Sequence, residues 1–201
     1  MSQDDWADLP GRVFVLSGPS GVGKSTLIRR LLERPDLRVR PSVSATTRPP
    51  RPGERAGVDY DFVTRAAFEA ARARDEFLET AEVHGHLYGT PAGPVRRLLA
   101  AGVCVVLVID VQGGRQVQER VPGAVLVLVK PPGVETLDAR LRARGTDDEP
   151  TIKRRLEAAR RELAVGEGLY PPEFHLVNAD DQIDEAVSRL ASLLMRFGCG
   201  G

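Results

Sequence analysis

Gly18-Pro19-Ser20-Gly21-Val22-Gly23-Lys24-Ser25 sets glycines, a lysine and a hydroxyl at the spacing G-x-x-x-x-G-K-[ST]. Glycines there let successive backbone N–H groups turn inward without a Cβ clash, which forms a cradle for phosphate oxygens. Lys24 adds a point charge for β- and γ-phosphates, and the Ser25 hydroxyl is placed to ligate Mg²⁺. The flanks agree with this. Arg12–Ser17 is a short apolar run with the character of a buried strand, and from Lys24 to Glu33 apolar residues fall at Leu27, Ile28, Leu31 and Leu32, a helical spacing. A helix opening near Lys24 adds the positive end of its dipole. A bound nucleoside triphosphate follows. The fate of its γ-phosphoryl does not, because kinases, switches and transporters share such loops.

Other residues have spacing that suits chemistry. Arg48 and Arg51, three apart and stiffened by Pro49, Pro50 and Pro52, fit a planar clamp on a phosphate and fit a solvated turn equally well. Asp110 ends a buried-type run, where ligands of α/β folds gather, although an acid there can also serve structure. Arg140 and Arg144 are one helical turn apart, so both can face a common phosphate, and Arg155 opens the next helix beyond Gly145-Thr146. Arg142 points elsewhere. In water the same segment is a solvated charged face that can close over a triphosphate. His84, His86 and His175 have no spacing that suits zinc, and read as structural or surface residues.

Positioning these groups takes a particular scaffold. The chain has 201 residues, 28 basic against 28 acidic, 42% hydrophobic, which suits one folded domain with insertions. Zero net charge argues against a broad nucleic-acid surface. The longest apolar runs, Val103–Ile109 and Ala124–Val129, fall far short of the ~20 residues needed to span a bilayer. Each is followed by a segment of helical character, from about Gly113 and Gly133, and Phe174–Val177 then Gln182–Phe197 make a last strand and helix. Strands alternating with helices predict a parallel sheet covered on both faces. Tyr60–Val63 and Phe77–Val83 around a helix at Arg65–Arg74 predict a small α+β insertion. Cys104 reads as a core residue and Cys199, in a glycine-rich tail, as exposed and incidental. With no apolar N-terminal segment, the expectation is a reducing, intracellular protein.

In order, Gly-Pro-Ser-Gly-x-Gly-Lys-Ser-Thr, Ser-x-Thr-Thr-Arg-x-Pro-Arg at 44–51, Gly-x-Asp-Tyr-x-Phe at 57–62, Tyr-Gly-Thr at 88–90, Ile-Asp-x-Gln-Gly at 109–113 and Arg-x-x-x-Arg-Gly-Thr at 140–146 strongly resemble guanylate kinases over residues 12–195. The resemblance implies an α/β P-loop sheet flanked by helices (12–43, 98–137 and 157–197), a GMP-binding insertion at 44–97 and a mobile lid at 138–156. It implies ATP on Gly18, Pro19, Ser20, Gly21, Val22, Gly23, Lys24, Ser25 and Thr26, with Mg²⁺ at Ser25. GMP would be held by Ser44, Arg48, Arg51, Tyr60, Glu79, Tyr88, Thr90 and Asp110. Lys24, Arg51, Arg140, Arg144 and Arg155 would be catalytic. In that family Glu79 would accept from both N1–H and the 2-amino group of guanine, an edge that adenine lacks.

The implied activity is transfer of the γ-phosphoryl of ATP to GMP, and to dGMP, in a cytoplasmic enzyme with no nucleic-acid, membrane or obligate protein partner. Two other readings compete. A noncatalytic scaffold module of this type would have eroded the phosphate loop or lid arginines, which this chain keeps. A kinase for another small substrate fits Glu79 and Ser44 less well. Gly166–Glu173, with Pro171-Pro172, reads as a longer loop than the family's pattern, which leaves an adenine contact at Asn178 open.

Overall fold

The computed structural model describes residues 4–83, 85–143, 145 and 148–200. In chain order the elements begin with α1 (Asp4–Ala7), β1 (Val13–Ser17), α2 (Lys24–Leu32), β2 (Val39–Pro41), β3 (Ala45–Thr46), β4 (Asp61–Phe62), α3 (Arg65–Ala73) and β5 (Phe77–Val83). They continue with β6 (His86–Pro91), α4 (Ala92–Ala100), β7 (Cys104–Val108), α5 (Val111–Arg120), β8 (Val125–Lys130), α6 (Val134–Ala143), α7 (Glu149–Leu169), β9 (His175–Val177) and α8 (Ile183–Arg196).

Five strands form a parallel sheet in the order β2-β7-β1-β8-β9. Their side chains alternate between faces, and both faces are covered, which is why β1, β7 and β8 read as unbroken apolar runs. Phe14, Leu16, Val106 and Val127 pack on one side with Leu27 and Leu31 of α2 and Leu190 and Leu194 of α8. Val13, Val15, Val105, Leu107, Leu126 and Leu128 pack on the other with Val95 and Leu99 of α4, Val111 and Val117 of α5, and Tyr170. Since β1 lies between β7 and β8, the loops leaving β1 and β7 emerge side by side at the carboxyl edge of the sheet.

A second sheet, β4-β3-β6-β5, stands over that edge. Only β3 and β4 are parallel; β6 runs antiparallel to both β3 and β5. Phe68 of α3 stacks on Phe77 at 4.5 Å between centroids to make its small core, with Ala45 and Leu87 beside them.

Two expectations from sequence are corrected. Gly166 does not open a loop, because α7 runs on to Leu169: a Cβ at Gly166 would lie 2.7 Å from Leu128 Cδ1, so the glycine permits close helix–sheet approach. Cys199 is neither exposed nor incidental. The chain turns back after α8, Arg38 N–H donates to Cys199 O at 2.9 Å, and the fully buried Cys199 is disulfide-bonded to Cys104 across 95 residues of sequence. The bond ties the C-terminal tail to β7 beside the edge strand β2.

A cross-link over so long a loop restricts the unfolded chain most, and removing one typically costs about 2–4 kcal/mol. Cys199→Ser is expected to lower Tm by roughly 5–15 °C while leaving the secondary structure intact. Free thiols at both cysteines in the native protein by mass spectrometry, or an unchanged Tm, would contradict the staple.

Candidate active site

The phosphate loop joins β1 to α2. At Gly18 φ is 145° and a Cβ would lie 2.2 Å from Val129 O, so only glycine lets the loop leave β1 against β8. The Lys24 ammonium donates to the carbonyls of Gly18 and Pro19 and is enclosed by the loop. That burial lowers its pKa, against the carboxylates of Glu162 and then Asp110, which raise it. Ser25 is exposed at the first turn of α2. Behind the loop the Ser17 and Tyr170 hydroxyls lie 2.8 Å apart, and Ser17 also donates to Asp110 O. Burial pushes the Tyr170 phenol up to about 12.

A cavity of about 410 Å³ opens from this loop toward the small sheet, lined by Gly18, Ser20, Lys24, Ser44, Tyr60, Glu79, Tyr88, Asp110 and Glu162 among others. Glu79 is 4% exposed and accepts a 2.7 Å hydrogen bond from Thr90 Oγ1. Its carboxyl is pushed up to about 7, first by burial and further by Asp110, against the lowering effect of the Thr90 bond. Ser44 Oγ lies 3.5 Å from Thr90 Oγ1. Along the wall, the Tyr60 and Tyr88 rings meet edge-on at 6.0 Å. The Arg48 guanidinium lies 5.5 Å from the Tyr60 ring and forms a near-buried ion pair with Glu54 at 2.8 Å. Asp110 caps α5 by accepting from Gly113 N–H at 2.7 Å. The cavity thus carries the Lys24 ammonium of the phosphate loop and the buried Glu79 carboxylate of the small sheet.

The sequence-predicted residues are not all brought together. Lys24, Ser20, Ser44, Tyr60, Glu79, Tyr88 and Asp110 line one cavity, with Thr90 directly behind Glu79. Arg51 is exposed on the proline turn, where its backbone N–H donates to Glu54. Arg140 does not face the path between loop and small sheet. Its guanidinium has found three acceptors on the loop's outer side, Val22 O, Asn178 O and Asp180, within a second cavity of about 360 Å³ lined by Gly21, Gly23 and Thr26. Arg144 lies outside the described residues, as does His84. Arg155 already donates to Ser20 Oγ at 2.7 Å, where the sequence led us to expect it in water. Arg142 bridges Asp138 and Glu149 on the exposed surface.

Sequence reasoning misses Glu162 and leaves Asn178 open. Glu162 sits mid-helix in α7, where its charge reads as a solvated face; the fold turns it toward Lys24, and burial raises its pKa. Asn178, 3% exposed, donates through Nδ2 to Val22 O at 2.7 Å. Its Oδ1 is buried without a hydrogen-bond partner among the described residues.

Comparison with known proteins gives a consistent result. A family model described as guanylate kinase matches residues 10–196. The chain is 51% identical over 188 residues to the guanylate kinase of Nocardia farcinica, covering 92% of this chain and 94% of that one. It is 46% identical over 186 residues to that of Thermosynechococcus vestitus, again covering 92% and 94%. The crystal structure of guanylate kinase from Anaplasma phagocytophilum superposes with a TM-score of 0.72 at 32% identity, covering 92% of this chain and 85% of that one.

The carboxyl of Glu79 has a stability consequence. Its folded pKa of about 7 lies above the ordinary 4.5, so the folded state holds the proton that the unfolded chain releases. The contribution is complete below pH 4.5, declines as pH rises toward 7 and is lost above it. Relative to Glu79→Gln, the wild type should lose on the order of 3 kcal/mol across that window, read from urea melts at successive pH values. A gap that stays constant from pH 4.5 to 7 would contradict the burial argument.

Proposed function

The chain belongs to the guanylate kinase family and transfers the γ-phosphoryl group of ATP to GMP, giving ADP and GDP, and we propose how its residues divide that work. One observation carries the reading: the phosphate loop and the buried Glu79 line the same cavity. Glu79 accepts from N1–H and the 2-amino group of guanine, with Ser44 and Thr90 completing the base contacts. Arg48, Arg51, Tyr60 and Tyr88 hold the monophosphate through charge and hydroxyl donors. None of these contacts requires the ribose 2′-hydroxyl, so dGMP is accepted too.

ATP lies with its phosphates on residues 18–26 and its adenine in the second cavity. There Asn178 Oδ1, without a hydrogen-bond partner among the described residues, can accept from the 6-amino group, and Arg140 braces the pocket. Among the described residues no cluster of three or more His, Cys, Asp or Glu side chains suits a metal. The Ser25 hydroxyl at the start of α2 and the Asp110 carboxylate, which lines the cavity with Lys24, offer oxygen ligands only, which fits Mg²⁺ held mainly by phosphates and water. When bound, Mg²⁺ neutralises charge on the β- and γ-phosphates. The GMP phosphate is itself the nucleophile, so Lys24 and the lid arginines act by positioning and neutralising charge, with no covalent intermediate.

No helix among the described residues is long and apolar enough to cross a membrane. The substrates suit the cytoplasm, and burial of both sulfurs of the Cys104–Cys199 bond shields it from thiols there.

A coupled ADP-release assay with GMP, AMP, CMP and UMP tests the base assignment. GMP should be favoured by ~10⁴-fold or more in kcat/KM, because adenine would leave a buried carboxylate unpaired. Glu79→Gln should lose most of that preference with little change in ATP affinity; a variant that keeps it sinks the assignment. In the same assay Lys24→Ala should abolish turnover in a folded protein.

The lid assignment makes a separate demand. Arg155→Ala should lower kcat by on the order of 10³-fold with a modest change in GMP KM. Arg142→Ala, which breaks only an exposed bridge, should stay within a few-fold of wild type. Equal damage from both would show that the phosphoryl group is not what Arg155 serves.

A further inference from the structure

β5 is an edge strand of the small sheet, paired with β6 on one side only. An edge leaves backbone N–H and C=O groups without ladder partners. At Thr80 those groups are taken by a side chain of the neighbouring helix. Gln116 Oε1 accepts from Thr80 N–H at 3.0 Å, and Gln116 Nε2 donates to Thr80 O at 3.1 Å. A primary amide carries the same donor and acceptor as a peptide group, so one residue of α5 stands in for a strand.

The location is specific. Pairing shifts from Phe77↔Pro91 to Thr80↔Gly89, three residues along β5 against two along β6. Such an irregularity loosens the ladder and re-aims a side chain, and here the stretch contains Glu79. The same helix reaches the carboxylate itself. A Cβ on Gly113, one turn before Gln116, would lie 3.1 Å from Glu79 Oε2, and Gly113 N–H is held by Asp110. Thus α5 sets both the backbone next to Glu79 and the space around its carboxylate.

We propose that Gln116 is a positioning residue for base recognition: by clamping Thr80 it fixes the bulge that holds Glu79 toward the guanine edge. This rests on the assignment of Glu79 as the base reader. A carboxylate that must meet two donors at once tolerates little displacement, so a freed bulge weakens GMP binding and base choice while the phosphate loop, on other elements, is untouched.

The test is a cycle of Gln116→Met, Glu79→Gln and the double variant. Methionine keeps the side-chain volume and removes both hydrogen bonds. Gln116→Met should raise KM for GMP ~10-fold and narrow the GMP-over-AMP preference, with kcat and KM for ATP within twofold. In the Glu79→Gln background it should add nothing further. A folded Gln116→Met variant with unchanged GMP KM, an equal rise for ATP, or the same rise in the Glu79→Gln background overturns the proposal. Glu79→Gln retaining wild-type preference would instead overturn the underlying assignment. If Gln116→Met does not fold, amide exchange in the wild type decides: protection of Thr80 N–H comparable to the β5–β6 ladder supports the clamp, and exchange at the rate of a solvent-exposed amide overturns it.

Discussion

A carboxylate buried with no cation acting on it among the described residues constrains the rest of this site. Glu79 has one strong hydrogen-bond donor, Thr90, and a second carboxylate, Asp110, acting on it unfavourably. One hydrogen bond to a charged group is worth about 1.5–3 kcal/mol, whereas desolvating an ion costs several, so burial wins and the proton is held toward neutral pH. A guanine edge supplies two further donors to this carboxylate, and an adenine edge does not. Selectivity then arises from what an incorrect base leaves unpaired. The bulge in β5, the small residue at Gly113 and the Thr90 hydroxyl are explicable as conditions for keeping that carboxylate in place.

The phosphate end differs in what opposes burial. Burial lowers the Lys24 pKa too, but there the carboxylates of Glu162 and Asp110 act to raise it and loop carbonyls accept from the ammonium. Arg48 is kept oriented by Glu54, whose two oxygens both accept from its Nη2, and by the rings of Tyr60 and Phe62. Ordering these cations in advance lowers the entropy lost when two polyanionic ligands are held close together.

Contiguous features were legible in the sequence. The phosphate loop and the strands β1, β7 and β8 each depend on neighbours in the chain, so a local pattern defines them. The small sheet was harder. β3 has two residues, too few for any periodicity, and β6 carries Gly89 and Pro91. α4 contains Gly93-Pro94, which reads as a break, yet Pro94 lies in the first turn, where its missing N–H has no helical partner to lose. Residues defined by distant partners were not legible at all. Cys199 meets Cys104 only because α8 crosses the sheet, Glu162 meets Lys24 only because α7 folds over the loop, and Gln116 meets Thr80 only at a sheet edge. Arg140 has a spacing that suits a phosphate, but Asp180 and two carbonyls accept from its guanidinium instead.

The ionisation of Glu79 is the centre of this account, and ¹³C carboxyl NMR reads it directly, with Glu79→Gln assigning the resonance. In the ligand-free protein the resonance should titrate near pH 7, and with GMP bound it should stay at the ionised shift down to well below that value. A midpoint near 4.5 in the free protein, or a titration that GMP leaves unchanged, would contradict it.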